Sequence, residues 1–556
     1  MSRLAVSREV VRRLSAYPPL FRAARGLYAA GSVVAAMTRD RGHRAGVTAI
    51  EDEIARIETR QPGARPPVVI VDLARATSRL TCHTATSRLI GWALRLAGQS
   101  AIYATCGRAV PQCLFSGANQ WLPDVRPPCA TCTHLRTRWY PAHLTYTCTS
   151  RMPTLASLAR AVESAPLAEL LELEWHDLPL GRLCAPSARW LLRRHDLAAD
   201  PGARALLQRF IMGAASLATS FGELIDEQKP RAFVVYNGAF YGEATVGAVA
   251  RQHGVPVVSH EIGWVPGRMF ISRDDATRYR IPLPEGYAPS GAEDVRFDEY
   301  LTRRFRGDFR MGATRFWPEM QTLPPALEAR MAGFQNVATV FSNVVFDTSQ
   351  IYANTVFDGM FAWLDATLEL AAKRPETLFV VRAHPDEFLK QSLETVATWL
   401  EAHPARRLPN VALIPASEYV SSYDLVRSSK LVIVYNSTIG LEAMILGKPV
   451  VCGGHTRYLD ATAAVHPKTP ELYADTIAQY LDTPPVTLDD RERERARRYM
   501  HYTYFKACLD LAPWIGTGLM VPDGLLTSSA TLRREAAPEM DIIVRGVLDG
   551  EAFAYA

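Results

Sequence analysis

The stretch 431–460, LVIVYNSTIGLEAMILGKPVVCGGHTRYLD, gathers the residues of this chain best suited to hold an anion. An apolar run, Leu431–Val434, ends in Tyr435-Asn436-Ser437-Thr438. Gly440 follows, then an amphipathic helical run with Glu442 near its start. Gly447-Lys448-Pro449 stops that run and a second strand starts at Val450. The pattern predicts strand, turn, helix, strand. Free N–H groups at a helix start, with the helix dipole behind them, attract phosphate oxygens. Ser437 and Thr438 add hydroxyl donors, and the Glu442 carboxylate could accept from ribose hydroxyls. A nucleotide-linked sugar has these groups. The simpler alternative is a βαβ unit whose Ser and Thr only cap the helix.

A second candidate set lies upstream. The run 378–381 reads as a strand that ends at Arg382-Ala383-His384-Pro385-Asp386. Arg382 is a fixed cation with a bidentate fork suited to phosphate. His384 could border a bound base or serve as a cap. In the first half, RAFVVYNGAFYGEA predicts a strand with Asn237-Gly238 at its end and Glu243 opening the next helix. The strand 255–259 precedes His260 and Glu261. Because strand side chains alternate, only one of these two can face a ligand at that strand end.

These residues need elements to position them. Strand Val68–Asp72, a helix over 86–96 and a strand over 102–105 make a first βαβ step. A cysteine-rich segment, 106–150, interrupts it, and helical patterning continues to about 228. The segment 275–330 is rich in Pro, Arg and Gly and reads as irregular. A second series then runs through a strand from Ala338 toward Asp347, a helix over 355–373, and strands 378–381, Val411–Ile414 and Leu431–Val434. Strands alternating with helices imply parallel sheets, two of them, with ligands at the carboxyl ends of the strands. The expected division is a basic helical extension (1–65), an N-terminal Rossmann-like domain with the cysteine-rich insertion (66–330), a C-terminal Rossmann-like domain (331–485) and a C-terminal helical segment (486–556).

With 556 residues, 48% hydrophobic and 21% charged, the chain is long enough for two or three globular cores. A net charge of +5 does not by itself argue for nucleic acid. No run of apolar residues is long enough to predict a transmembrane helix, and no signal-peptide pattern opens the chain. The expected compartment is cytoplasmic. The first 50 residues carry nine arginines against Glu9 and Asp40, interleaved with apolar side chains. That composition suits peripheral contact with an anionic membrane at its inner face, or a solvated helix packed on the first domain.

Six of the nine cysteines fall between Cys82 and Cys148. Cys129 and Cys132 form a Cys-x-x-Cys knuckle. With Cys106 and Cys113 they could ligate structural zinc or an iron–sulfur cluster, with His134 and Cys148 as spare ligands. Buried free thiols in an insertion are the other reading.

FSNVVFD, a helix with a central Trp363, VVRAHPDE, and then SSYDLVRSSKLVIVYNSTIGLEAMILGKPVVCGGHTRY together resemble the C-terminal half of capsule polysaccharide biosynthesis glycosyltransferases. The resemblance covers roughly 338–460. His-Pro followed downstream by Ser-Thr is also similar to bacterial sialyltransferases and Kdo transferases, which use CMP-sugars. The resemblance implies a GT-B fold, two Rossmann-like domains facing a cleft. It implies that His384 and Pro385 border the donor nucleotide. Arg382, Asn436, Ser437, Thr438 and Gly440 would hold its phosphate, and Glu442 its ribose. The donor would be CMP- or UDP-linked and the acceptor a glycan or glycolipid, with no nucleic acid partner. GT-B enzymes commonly act without a catalytic divalent metal, and no Asp-x-Asp stands at a strand end.

Inverting transfer needs a general base on the acceptor hydroxyl. Glu261 is the first candidate, with Glu243 and Asp347 next. The Asp/Glu-Asp-Gly base motif of the sialyltransferases is absent. Glu243 is also explained as a first-turn acid interacting with the helix dipole. Other readings of the same fold are a nucleotide-sugar epimerase, a polyol-phosphate polymerase, and a non-catalytic glycan-assembly subunit.

Overall fold

The computed structural model describes residues 41–58, 65–73, 80–114, 129, 132–133, 136, 139–273, 280–312, 314–315 and 319–556. Most of the basic N-terminal stretch, and His134, lie outside the described residues.

Two sheets organise the chain. The first holds β1 (Val68–Asp72), β2 (Ala101–Cys106), β3 (Thr145–Cys148), β4 (Ala232–Tyr236), β5 (Val257–Ile262), β6 (Arg268–Ser272) and β12 (Leu509–Asp510), in the order β12-β6-β5-β4-β1-β2-β3. The second holds β7 (Asn336–Phe341), β8 (Thr377–Arg382), β9 (Val411–Ile414), β10 (Leu431–Val434) and β11 (Val450–Cys452), in the order β11-β10-β7-β8-β9. β1 to β5 pair parallel, and so do all five strands of the second sheet. Each half therefore runs outward from its first strand in both directions, the doubly wound order with a topological switch point beside that strand. Two Rossmann-like sheets facing a common cleft make the GT-B arrangement.

The strands form where the sequence is a continuous apolar run. All five residues of β1, all four of β10 and all six of β7 are buried. A parallel sheet covered by helices on both faces requires such runs rather than alternation. Apolar burial at roughly 25 cal/mol per Å² supplies most of the driving force.

Three segments differ from the sequence expectation. The irregular joint expected over 275–330 contains a helix, Gly291–Phe305, closed at its start by a capping box between Ser290 and Glu293. It buries Phe297, Leu301 and Arg304, spaced by four and three residues on one face. β5 starts two residues and ends three residues later than expected and turns back into β6 as an antiparallel pair. The C-terminal segment returns to the first half. β12 pairs antiparallel with β6, and the helix Pro538–Asp549 packs on the helix Cys82–Leu96. Met540, Ile543, Val544 and Val547 make its apolar stripe, which the first sheet's core covers.

The helix Arg41–Glu58 is clamped to that same core. Glu51 accepts from Arg88 at 3.1 Å, from Trp92 Nε1 at 2.7 Å and from Arg95 at 2.5 Å. Burial works against the carboxylate, and the two guanidinium groups outweigh it, so Glu51 sits below its ordinary pKa.

No helix among the described residues is long and apolar enough to cross a membrane. Among the described residues no group of three His, Cys, Asp or Glu side chains could hold a metal ion. Cys106 lies opposite Cys148 across β2 and β3, while Cys129 and Cys132 lie on the segment between those two strands. The four-thiolate site expected of Cys106, Cys113, Cys129 and Cys132 is not assembled, and it is not carried forward.

Candidate active site

One cavity of about 1120 Å³ opens between the two sheets. It is somewhat larger than the roughly 300–1,000 Å³ usual for small-molecule sites. Its walls are the carboxyl ends of β4 and β5 from the first sheet and of β7, β8 and β10 from the second.

On the first wall, β4 ends in a turn where Asn237 (φ 56°) and Gly238 (φ 79°) are both left-handed. Asparagine tolerates that conformation because its side chain bonds locally, and here its Oδ1 accepts from the Ala239 N–H at 3.0 Å. Its Nδ2 is thereby turned to donate to Glu261. Glu261 also accepts from the Ile262 N–H at 2.7 Å and lines the cavity half-buried. Burial raises its pKa, the charge of Asp347 adds to the rise, and the three donors Asn237, Ile262 and Tyr236 oppose it. His260, one residue back, points to the other face. It is fully buried and shares a 2.9 Å hydrogen bond between Nε2 and Ser87 Oγ. Burial depresses it to about 3, so it is neutral. Strand alternation thus separates the two as expected.

Glu243 does not reach the cavity. It is buried in the first turn of the helix Tyr241–Gln252, and burial, with the Asp72 charge, pushes its pKa up to about 8. A carboxyl group away from the cleft has no acceptor to act on, so Glu243 drops out as a base.

On the second wall, Asp347 caps the turn after β7, accepting from the Ser349 N–H at 3.0 Å. Burial raises its pKa, but Lys390 Nζ at 3.5 Å and the Ser349 hydrogen bonds outweigh that and hold it ionised. Lys390 also pairs with Asp386 at 2.7 Å and lies 5.4 Å from the centre of the Trp190 ring. His384 caps the short helix Pro385–Leu389, with Pro385 at its first position. Its Nδ1 accepts from the Asp386 N–H at 3.1 Å, and burial lowers its pKa. A neutral ring with Nδ1 as acceptor carries its proton on Nε2.

Asn436, Ser437 and Thr438 line the same cavity half-buried at the end of β10. Asn436 spends its side chain on the post-β7 loop, donating to the Ser349 carbonyl at 3.0 Å and accepting from Gln350 at 3.3 Å. The Thr438 hydroxyl makes no capping bond to the helix Ile439–Ile445. The Ser437 hydroxyl accepts from the Ile439 N–H at 3.5 Å, and both Ser437 and Thr438 line the cavity.

Three sequence assignments change. Arg382 is 2% exposed and donates to the carbonyls of Pro415 at 2.6 Å and Glu418 at 2.8 Å. Its fork holds the loop after β9, and burial lowers its pKa to about 10. Glu442 has both oxygens engaged, by Arg304 at 2.7 Å and by the Tyr423 hydroxyl at 2.5 Å. Its ribose role is not carried forward. Gly440 has a packing reason: a Cβ there would stand 2.4 Å from the Tyr458 hydroxyl. That hydroxyl donates to the Ser437 carbonyl at 2.7 Å.

The sequence reading missed Lys390, His83 and Arg304. Lys390 had a signal, since Asp386 stands four residues before it. His83 lines the first wall with its ring centre 4.1 Å from that of Tyr236, and burial depresses it to about 3. It follows the Thr81 cap by two residues. Arg304 had none, because Glu442 lies 138 residues away.

Residues 326–461 match the family described as capsule polysaccharide biosynthesis protein. The resemblance read from the sequence is therefore shown over the second sheet. Protein FixF of Sinorhizobium fredii (strain NBRC 101917 / NGR234) is 27% identical over 99 residues, 18% of this chain and 21% of that protein. The match spans about a fifth of the length of that curated relative. Among solved structures, the chain is similar to the KpsC beta Kdo 2,4 transferase of Thermosulfurimonas dismutans, at 14% identity and a TM-score of 0.33, covering 48% of this chain and 79% of that one. It is also similar to the S. aureus MnaA-UDP co-structure, at 11% identity and a TM-score of 0.24, covering 87% and 97%.

Proposed function

We propose that this chain is a glycosyltransferase that moves a sugar from a nucleotide-sugar donor, CMP- or UDP-linked, to a surface or capsular polysaccharide or a glycolipid. One observation carries the reading: two doubly wound sheets turn their strand ends onto a single cavity, with the Glu261 carboxylate on one wall and the Ser437 and Thr438 hydroxyls on the other. The capsule-family match over the second half supports the donor side of this reading.

In the proposed reaction the acceptor sugar lies against the first wall. Glu261 takes the proton of the attacking hydroxyl. The new bond forms between that oxygen and the anomeric carbon, and the bond from that carbon to the donor phosphate breaks. Ser437 and Thr438 donate to the departing phosphate, and the Nε2–H of His384 is a further donor beside it. Asn237 positions Glu261. Asp347, held ionised by Lys390, stays a fixed negative charge, which favours Glu261 as the group that takes up the proton.

The test is a melting series with CMP, UDP, GDP and dTDP, followed by transfer assays with the sugar nucleotides of whichever base binds. A ligand at a hundred times its dissociation constant stabilises the fold by about 2.7 kcal/mol. A shift with one nucleotide and turnover of its sugar conjugate is the expected result. No shift with any of the four would overturn the reading. Epimerisation of the free nucleotide sugar without acceptor would point to the epimerase alternative.

A further inference from the structure

The first wall of the cavity holds a titratable side chain that the proposed reaction does not use. His83 stands in the first turn of the helix Cys82–Leu96 and lines the cavity half-buried. Its backbone is fixed from two sides. Thr81 caps the helix, accepting from the Thr84 N–H at 3.3 Å, and the Cys82 N–H donates to the Leu519 carbonyl at 2.9 Å. The His83 ring lies against that of Tyr236, with 4.1 Å between centres and a tilt of 48°. Tyr236 in turn donates to Glu261, so one side chain separates His83 from the carboxylate.

Stacking occupies the ring's face and leaves its nitrogens. Nδ1 is buried and has no hydrogen-bond partner. Nε2 makes no hydrogen bond among the described residues. One helical turn on, Ser87 bonds His260 Nε2 instead, at 2.9 Å. Burial alone depresses the His83 pKa, so the ring is neutral. A neutral ring carries a single N–H. A protein interior tolerates an unmet acceptor better than an unmet N–H. That puts the proton on Nε2, the ring nitrogen left to the cavity.

We infer that His83 holds the acceptor: its Nε2–H donates to a second hydroxyl of the acceptor sugar while Glu261 takes the proton of the first. A neutral N–H matches a hydroxyl oxygen, whereas a carboxylate or phosphate is met best by a cation. Two contacts, at His83 and at Glu261, orient the sugar so that one chosen hydroxyl faces the base. The fixed backbone and the stacked ring mean that little side-chain freedom is lost on binding. The acceptor class is thus a glycan end with a free hydroxyl near the one that attacks. This rests on the glycosyltransferase reading, whose acceptor side it specifies.

The experiment is nitrogen NMR on the full chain carrying isotope-labelled histidine, saturated with CMP or UDP, whichever binds. Methyl glycosides of glucose, galactose and mannose are the acceptor probes. The His83 signals are those missing from His83→Phe, which keeps a ring against Tyr236 and loses both nitrogens. At neutral pH they should report a neutral ring protonated at Nε2, and at least one glycoside should shift them. His83→Phe should weaken that glycoside about tenfold, the effect of losing one hydrogen bond, with nucleotide affinity unchanged. His83→Gln, which keeps an N–H donor, should recover part of the loss, and it serves if the phenylalanine variant does not fold. A ring protonated at Nδ1, or at both nitrogens, would overturn the inference alone. So would His83 signals that no glycoside moves, or equal glycoside affinity in wild type and His83→Phe. Failure of the wild type to bind any nucleotide would instead remove the functional reading and this inference with it.

Discussion

Arg304 and Glu442 meet at 2.7 Å with side chains 1% and 3% exposed, joining the helix Gly291–Phe305 to the helix that follows β10. Tyr423 completes the carboxylate's shell, and Tyr300 accepts from the other Arg304 nitrogen at 2.9 Å. The pair fixes the segment between the two sheets onto the second one, beneath the hydroxyl turn. It also explains why an acid placed one turn into that helix is not spare for a ligand.

Breaking this pair should be costly. Arg304→Met leaves Glu442 buried without its cation, and losing one partner of a buried pair costs about 3–5 kcal/mol. Removing both, as Arg304→Met with Glu442→Leu, should recover much of that loss. Urea midpoints of the three variants check it. Additive losses in the double variant would refute the pairing account.

The catalytic assignment separates two glutamates. Glu261→Gln keeps shape and removes basicity, so turnover should fall by a factor on the order of 10²–10⁴ with nucleotide binding retained. Glu243→Gln should leave turnover within about twofold of wild type, because that side chain lies off the cavity. Steady-state kinetics on both variants decide between them. The assignment fails if the order of the two effects is reversed.

The hydroxyl turn is tested by removal. Ser437→Ala with Thr438→Ala deletes two donors to a charged group, each worth about 1.5–3 kcal/mol. Nucleotide affinity should drop at least about tenfold in a variant whose melting temperature is unchanged. Calorimetric titration of the folded double variant gives the answer, and full affinity would remove these residues from the site.

Glu243 makes a prediction about pH. Its folded pKa, about 8, lies above the ordinary glutamate value of 4.5. Between those values the native state holds a proton the unfolded chain has released, so stability falls as pH rises through that window. Glu387, also raised to about 8 by burial, acts in the same direction. Glu243→Gln should flatten the decline between pH 5 and 8 and raise stability at pH 8 by about 1–3 kcal/mol. Chemical denaturation across that range tests the slope. A slope identical to wild type would place the titration elsewhere.

The strands were legible in the order of residues alone. Val68–Asp72, Val411–Ile414 and Leu431–Val434 were legible to the residue, because a parallel strand covered on both faces must be a short apolar run. The alternation of strands and helices carried the two-sheet architecture. Strand ends then located Glu261, Asp347, His384, Ser437 and Thr438 as cavity residues, since ligands collect at carboxyl ends.

Which polar side chains at those ends were already engaged followed from packing between distant elements. Arg382 and Glu442 have the right types at the right spacing, yet their partners sit on the loop after β9 and on a helix 138 residues upstream. Gly440 matched an anion turn by pattern, while its necessity comes from Tyr458. The cysteines had ligand-like spacing in the chain, yet among the described residues no group of three His, Cys, Asp or Glu side chains could hold a metal ion. Local sequence encodes backbone conformation and burial through periodicity. Pairing of buried charges depends on which distant elements pack together, and no local pattern carries that information.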